Sequence, residues 1–256
     1  MRNVLLTMIL LVAVSASTAR AEELTARQVV ERAHAAAGGE AWLKAGTNVM
    51  RGDATLCRDG DPTKCVYADR YVMYRVYPTE LAHGAHDGSG KFRLDAFDGA
   101  RRILQVAFDG TRSYDHDGPL PPERAMSDEM SAFGFSAIRF ALQPGFEVER
   151  LADDEVEGRP SYFVRVRDPS GARTLFGIDK EHFYVLSAQW QTTKGWHMRQ
   201  YSEFYQLMDS RFLQPGRVRH YYDGVKSVDI HWRSAEIGLP IPDSTFVLGP
   251  GVKSSN

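Results

Sequence analysis

The chain has 256 residues, of which 31 are basic and 33 acidic, so its formal net charge at pH 7 is −2. This balance excludes a strongly basic nucleic-acid-binding protein, because Lys and Arg are scattered along the chain and form no basic stripe. We therefore expect no nucleic-acid partner. The length is sufficient for one large β-rich domain with a sizeable core.

The first 21 residues have the pattern of an export signal. Arg2 gives a basic start, residues 4–14 form an apolar run too short to span a bilayer, and Ala19-Arg20-Ala21 is a small-residue cleavage pattern. We expect a signal peptide over residues 1–21 and a periplasmic mature chain with no transmembrane span. Without Arg2 and Arg20 the chain keeps 29 basic against 33 acidic residues. No cysteine near the cleavage pattern could carry a lipid anchor, so we expect a soluble mature protein.

The two cysteines, Cys57 and Cys65, flank a short segment dense in turn-forming residues. In an oxidising compartment this spacing predicts a disulfide that closes a hairpin loop. A closed loop of about nine residues contributes roughly 2.6 kcal/mol in the chain-entropy account of disulfides. A redox or metal pair would more often have the spacing C-x-x-C.

Two short helices are predicted next to each other near the start of the mature chain. Thr25 and Gln28 have the spacing of a capping box, and the apolar residues that follow predict a helix over 25–37. Gly38-Gly39 should end that helix. A further turn of helix is expected over 40–44.

From Val49 onward the apolar residues recur with a period of two, which indicates strands with one buried face. The strands follow one another too closely for parallel crossovers, so they predict an antiparallel meander. The clearest alternating runs lie at 66–77, 92–97, 102–108, 162–167, 173–178, 183–191, 198–206 and 228–233.

One segment, residues 123–142, has a broad apolar face at helical spacing, with Met130 and Phe133 on it. Such a face must be covered, and the sheet is its available partner. We therefore predict a mainly β fold with helices (α+β), in which this helix and the N-terminal one pack on the concave face of a strongly curved antiparallel sheet. The domain should extend over residues 22–248, with a frayed tail at 249–256.

Motifs for catalysis are missing from the sequence, which contains neither G-x-S-x-G nor H-E-x-x-H. We expect no catalytic residues, no metal site and no cofactor. One alternative is a metal-dependent envelope hydrolase, which would require His83, His86 and His116 to converge. Another is a structural scaffold for an envelope protein, with a filled core.

Large apolar and aromatic side chains at alternating strand positions are the main specific signal. A sheet packed on helices needs such residues for its core in any case. Methionine and phenylalanine on the 123–142 helix add an adaptable surface, which favours a ligand cavity between sheet and helix. The residues expected to line this hydrophobic cavity are Tyr71, Met73, Phe108, Met130, Phe133, Tyr162, Trp190 and Trp232.

Several short motifs occur in a distinctive order along the chain, namely Ala37-Gly38-Gly39, Ala41-Trp42-Leu43, Met50-Arg51-Gly52, 158–164, 175–180, Glu203-Phe204-Tyr205 and 241–246. Together they resemble the periplasmic lipoprotein-sorting proteins of the LolA/LolB-like superfamily. The resemblance implies a half-open β-barrel with an aromatic concave face, covered by helices, which accommodates acyl chains and performs no chemistry. The chain is longer than a typical LolA carrier and lacks the anchor of LolB, so we do not assign it the dedicated lipoprotein carrier role.

The sequence thus predicts a soluble, non-enzymatic periplasmic carrier or binding protein for a hydrophobic ligand. Its partners would be a lipid or the acyl chains of a lipoprotein, together with an envelope donor or acceptor protein. The metal-dependent hydrolase and the structural scaffold stay open as alternatives.

Overall fold

The structure is a computed structural model that describes residues 23–78, 90–122, 136–192, 195–207 and 210–249. Several sequence predictions lie outside these residues. They are the export signal, residues 123–135 of the predicted helix with Met130 and Phe133, the tail beyond Gly249, and the two histidines His83 and His86.

The N-terminal helix, α1, spans Ala26–Ala37, as predicted. The Gln28 amide donates to the Thr25 hydroxyl at 3.2 Å, and the Thr25 amide donates to the Gln28 side-chain oxygen at 2.8 Å, which completes the capping box. Gly38 ends the helix with a φ of 126°, where a Cβ would lie 2.8 Å from the carbonyl carbon of Arg211. The second helix, α2, spans Glu40–Leu43, and a third, α3, spans Ser136–Phe140.

The described residues form fourteen strands in one antiparallel sheet. The predicted mainly β fold is confirmed, and so are the strand predictions. The sequence did not predict four further strands, here numbered β5, β6, β8 and β13. The strands are β1 (Thr47–Cys57), β2 (Cys65–Val76), β3 (Lys91–Asp98), β4 (Arg101–Phe108), β5 (Ser113–Asp115), β6 (Gly118–Pro119), β7 (Glu147–Arg150), β8 (Asp154–Val156), β9 (Arg159–Arg167), β10 (Arg173–Asp179), β11 (Val185–Thr192), β12 (Gly195–Gln206), β13 (Leu213–Tyr222) and β14 (Val225–Ile237).

The acidic segment Asp153-Asp154-Glu155 has the composition typical of a solvated loop, but it is partly a strand. Residues 154–156 form β8, which pairs with β9 from Asp154↔Ser161 to Val156↔Arg159. The side chains of Asp154 and Glu155 stay exposed while Val156 is buried. Charge therefore predicted the exposure of these side chains, but not the pairing of their backbone.

The sheet is a meander whose two halves are joined by its first and last strands. The strand order is β6-β5-β4-β3-β2-β1-β14-β13-β12-β11-β10-β9-β7. The long pairing between β1 and β14 extends from Asn48↔Ile237 to Leu56↔Val228, which brings residues far apart in sequence into contact. Because the path ends at β6 and β7 without joining them, the sheet is a curved, half-open barrel.

The predicted disulfide is confirmed. Cys57 and Cys65 face each other as the last cross-strand pair of β1 and β2, and their sulfur atoms are bonded. Two short 3₁₀ turns, Arg58–Gly60 and Pro62–Lys64, form the loop that the bond closes.

The helices pack on the concave face of the sheet, as predicted. Helix α1 contacts β7, β9 and β13 and buries Val29, Val30 and Ala33. Helix α3 contacts β9, and its Ile138 is fully buried. The two helices are joined by a hydrogen bond of 2.6 Å from the His34 ring nitrogen Nε2 to the Ile138 carbonyl oxygen. Within the described ranges, no helix is long and apolar enough to cross a membrane.

Candidate functional site

A cavity of about 60 Å³ lies on the concave face, between the sheet and the helices α2 and α3. Its wall combines apolar side chains with several polar ones. The apolar part consists of Trp42, Met50, Met73, Phe212, Leu213, Pro215, Val218, Ile230 and Trp232. The polar part consists of Arg75, Tyr77, Arg139, Arg199, Tyr201, Gln214 and His220.

Strand register positions the aromatic side chains at the base of this cavity. Gly52 of β1 lies opposite Trp232 of β14 on one side and opposite Tyr71 of β2 on the other. Directly paired residues point to the same face of a sheet, so both rings point to the concave side. Their centroids are 5.4 Å apart, on either side of a residue that has no side chain.

Three arginines reach the same cavity from different elements. Arg75 comes from β2, Arg139 from α3 and Arg199 from β12, and each is 3–4% exposed. The described lining includes no Asp and no Glu. Such a buried concentration of positive charge is rare, since buried charges in proteins are ordinarily paired.

Arg139 is fixed between two aromatic rings. Its Cζ atom lies 4.5 Å from the centroid of the Trp42 ring and 4.2 Å from that of Tyr77. The proximity of Tyr77 favours the charged guanidinium, but no Arg139 nitrogen has a hydrogen bond of normal geometry to any described residue. Stacking therefore sets the orientation of the guanidinium, and its N–H groups have no hydrogen-bond acceptor of normal geometry among the described residues.

The arginines are costly to keep charged in this environment. Burial, together with the positive charges of Arg139 and Arg199, lowers the pKa of Arg75 to about 9, against the opposing effects of Tyr77 and Tyr201. Burial also lowers the pKa of Arg139. It raises the pKa of Tyr201 to about 12, so this phenol is neutral at pH 7. The described part of the cavity wall is therefore rich in positive charge.

Two histidines of the interior, the buried His34 and the half-buried His220, have lowered pKa values. Burial, above all, lowers the pKa of His220 well below its usual range, and the nearby charge of Arg199 lowers it further. Burial also lowers the pKa of His34, against the opposing effect of its hydrogen bond to the Ile138 carbonyl. Because neither ring takes up a proton easily in the folded chain, both rings link the stability of the fold to pH.

We expect the folded chain to lose stability as the pH falls from 7 to 5. In this range the unfolded chain protonates His34 and His220 near the ordinary histidine pKa of about 6.5, whereas the lowered pKa values in the folded chain shift this protonation to lower pH. The unfolded state thus binds more protons, and the free energy of unfolding decreases with falling pH. Urea denaturation at pH 7, 6 and 5 measures the slope, which His220→Phe should reduce. An unchanged slope in that variant would contradict the assignment.

The carboxylates do not contribute to this slope between pH 7 and 5. The lowered pKa values of Asp109, Asp153 and Asp229 affect the free energy of unfolding only below about pH 4.

Of the residues expected to line a ligand cavity, the structure brings three together. Met73 and Trp232 line the cavity, and Tyr71 packs against Trp232. Phe108 points to the same concave face, because its pairing with Phe92 continues the register of Arg75. It does not reach the cavity wall.

Tyr162 and Trp190 also lie outside the cavity. The Tyr162 ring stacks on Phe183 with 5.8 Å between centroids and packs beneath Arg150. Trp190 packs beneath Arg199, whose Cζ atom lies 5.2 Å from the ring centroid. Trp190 also borders a larger open groove, of about 750 Å³, between β9–β12 and the loop at 171–172. Met130 and Phe133 belong to the part of the chain that the structure does not describe.

Sequence reasoning missed the arginines of the cavity because it interpreted them as singly scattered surface charges. A signal was present in their position along the strands. Arg75 has the same strand parity as the buried Tyr71 and Met73, and Arg199 has that of His197 and Tyr201. A charged residue on the buried parity of a strand marks a site that the hydrophobic pattern alone does not explain.

Of the histidines considered as metal ligands, only His116 belongs to the described residues, and it is not part of the cavity wall. His116 lies beside Asp115 and Asp117 after β5, with one ligand atom of each within 4.8 Å of the others. The His116 and Asp117 side chains are exposed and form an ion pair at 3.3 Å when the ring is protonated. The other two histidines of the metal hypothesis, His83 and His86, are outside the described ranges.

Comparison with known proteins gives matches in structure only. No protein-family model matches the sequence, and no curated protein matches it. A lipoprotein-sorting protein domain of the outer membrane from Vibrio parahaemolyticus is 14% identical, with a TM-score of 0.50, over 87% of this chain and 95% of that one. A LolA superfamily protein from Nitrosomonas europaea is 10% identical, with a TM-score of 0.54, over 88% and 98%.

A third solved structure, a DUF1329 family protein from Desulfovibrio piger, is 10% identical with a TM-score of 0.51, over 88% of this chain and 98% of that one. Identities this low establish similarity of fold and carry no residue roles. The chain therefore has the fold of the LolA superfamily and of outer-membrane lipoprotein-sorting domains, which confirms the resemblance seen in its sequence motifs.

Proposed function

We propose that this chain is a non-enzymatic periplasmic binding protein or carrier for a hydrophobic ligand, namely a lipid or the acyl chains of a lipoprotein. The observation that carries the proposal is the cavity on the concave face, walled by Trp42, Met50, Met73 and Trp232. Burial of an alkyl chain against such a wall is favourable by about 0.8 kcal/mol for each methylene removed from water. The fold shared with lipoprotein-sorting domains supports the same assignment.

We propose a periplasmic location and a single ligand-binding domain for this chain. The export pattern of residues 1–21 supports a periplasmic location, where lipids must cross an aqueous space. Residues 22–248 would act as one ligand-binding domain. An envelope protein would supply or receive the ligand.

The volume of the cavity limits the size of the ligand that fits without movement of the protein. A volume of about 60 Å³ holds roughly four or five water-sized groups, which is far less than a complete acyl chain. A second cavity, of about 20 Å³, lies beneath α1 and shares Trp42, Leu213 and Pro215 with the first. A longer chain would therefore join the two cavities by displacing these shared walls, in a state that the ligand stabilises by differential binding.

Filling the shared wall should block the ligand. Leu213 is half-buried between the two cavities, so Leu213→Trp places a larger ring into both. The neutral fluorescent probe N-phenyl-1-naphthylamine should bind the wild-type chain, and about tenfold more weakly the Leu213→Trp variant, a loss of about 1.4 kcal/mol.

The control for this titration is Leu239→Trp, at an exposed position outside both cavities. It should bind the probe as the wild type does. A wild-type chain that does not bind the probe, or equal binding by all three proteins, would contradict the proposed function.

A further inference from the structure

Buried arginines lie on both faces of the sheet. On the convex face Arg93 is buried, and its Nε atom donates to the Asp95 carboxylate at 3.0 Å. Gln105 donates to the same carboxylate at 2.9 Å, and Thr245 supplies a carbonyl acceptor for Arg93 at 3.3 Å. Arg93 is thus paired with a carboxylate, whereas no nitrogen of Arg139, in the cavity on the concave face, has a hydrogen-bond acceptor among the described residues.

We propose that the cavity holds the anionic head of an amphiphile, a carboxylate or phosphate joined to an alkyl chain, with Arg139 as its main ligand. The inference rests on the proposed function and specifies its ligand class. An apolar cavity wall alone is sufficient to explain the binding of an alkyl chain. It does not account for the buried guanidinium of Arg139, whose nitrogens have no hydrogen-bond acceptor among the described residues.

Arg139 has the features of an anion-binding residue. It lines the cavity, is 3% exposed, and has all three nitrogens without a hydrogen-bond acceptor among the described residues. Its planar guanidinium is fixed by the rings of Trp42 and Tyr77, so two parallel N–H groups can meet a carboxylate or phosphate without further ordering.

Arg75 reinforces this end of the cavity. Its Cζ atom lies 4.8 Å from the Tyr77 ring centroid, so the two guanidinium groups flank the same ring. Arg199 adds a third positive charge, close enough to lower the pKa of Arg75. A bound anion would remove the mutual repulsion among the three cations, which favours ligands that carry a negative charge.

The remaining wall accounts for the chain attached to the anion. Met50, Met73, Ile230 and Trp232 give the cavity an apolar surface next to the arginines. The volume of about 60 Å³ accommodates a compact anion with the first few methylenes, and no large head group. The site thus matches a small anion at the end of a chain.

A ligand series of equal chain length tests the proposal on the full-length, delipidated wild-type protein. The probes are dodecanoate, dodecyl phosphate, the neutral dodecanol, and inorganic phosphate, each titrated by competition with N-phenyl-1-naphthylamine. At least one anionic dodecyl probe should bind ten times or more tightly than dodecanol, because hydrogen bonds to charged groups are the strong ones. Preference for dodecanoate would indicate a fatty acid, and preference for dodecyl phosphate a phospholipid-like head.

Variants assign the preference to its residue. Arg139→Met should reduce the anion preference to within about threefold of dodecanol while keeping dodecanol binding, and Arg139→Lys should restore part of the preference. Without ligand, Arg139→Met should unfold at a temperature no lower than the wild type, because it removes an uncompensated buried charge. The matched control, Arg233→Met, alters an exposed arginine paired with Asp53 and should keep the preference.

The outcomes separate this inference from the proposed function. Equal binding of dodecanol and both anions would overturn the inference and leave the hydrophobic binding function intact. Inorganic phosphate binding as tightly as dodecyl phosphate would also overturn it, since the site would then serve a free anion. Failure of every dodecyl probe and of the fluorescent probe to bind would contradict the proposed function itself.

Discussion

Replacement of Gly52 by alanine should destabilise the fold by about 3 kcal/mol or more, which is at the upper end for overpacking by a single methyl group. A Cβ at this position would lie 2.8 Å from the carbonyl carbon of His231, 3.0 Å from the Cα of Trp232, and closer still to the His231 carbonyl oxygen. All of these are backbone atoms of β14, so no side-chain rotation relieves the clash. The strand pairing itself must open.

The effect is large because of where Gly52 lies. The registers of β1 with both of its neighbours shift beside this residue, and the β1–β14 pairing joins the two halves of the sheet. Displacement of β14 also moves Trp232 away from Tyr71 at the base of the cavity. Urea denaturation followed by circular dichroism measures the loss, and ligand titration should show weaker binding in any variant that still folds.

Gly99→Ala is the control for this substitution. Gly99 has a φ of 55° in the turn between β3 and β4, and a methyl group added there would have nothing within 4 Å, so only backbone strain of about 1–2 kcal/mol applies. Equal denaturation midpoints for Gly52→Ala and the wild type would contradict the close approach of β1 and β14.

Replacement of Trp42 by alanine should cost about 3–5 kcal/mol of stability, the range for large aromatic residues in cores. The side chain is 2% exposed and belongs to the walls of both cavities. It also contacts the His34 ring at 5.7 Å between centroids and lies beneath the Arg139 guanidinium. Its removal leaves a large void and frees Arg139 from its fixed orientation.

The Trp42→Ala variant should therefore also lose its preference for anionic over neutral dodecyl ligands, if it is assayed at a temperature where it stays folded. Trp196→Ala is the matched control, because Trp196 is 40% exposed and has its indole N–H bonded to Gln189 at 3.1 Å. That variant should lose about 1 kcal/mol or less. Equal losses for the two tryptophans would contradict the interior role of Trp42.

Local chemistry made several features of the fold predictable. The structure has the capping box at Thr25, the glycine that ends the helix at Gly38 and the disulfide between Cys57 and Cys65. Each of these depends on residues only a few positions apart. Strand parity placed Tyr71, Met73, Phe108, Tyr162, Trp190 and Trp232 on the face expected for them. Parity defines a face, however, and not a position along the curve of the sheet.

The cavity was less predictable because it depends on contacts across the whole chain. The pairing of β1 with β14 and the path of α2 over the sheet decide that Trp42, Met73 and Trp232 meet, while Tyr162 and Trp190 lie elsewhere. The role of Arg139 could not be predicted for a different reason. Its helical position next to Ile138 gives no hint that Trp42 and Tyr77, from distant segments, enclose it.

Analysis of the ligand that the protein retains from the cell shows whether the concave face holds an acyl chain, as we propose. The full-length chain, exported in a bacterial host and purified from the periplasm without detergent, would be weighed by native mass spectrometry and its ligand extracted and identified. We predict one bound lipid or fatty acid per chain in the wild type, and a strongly reduced fraction in Leu213→Trp with the fold unchanged. A wild-type chain that carries no lipid, even after incubation with phospholipid vesicles and fatty acids, would contradict the account.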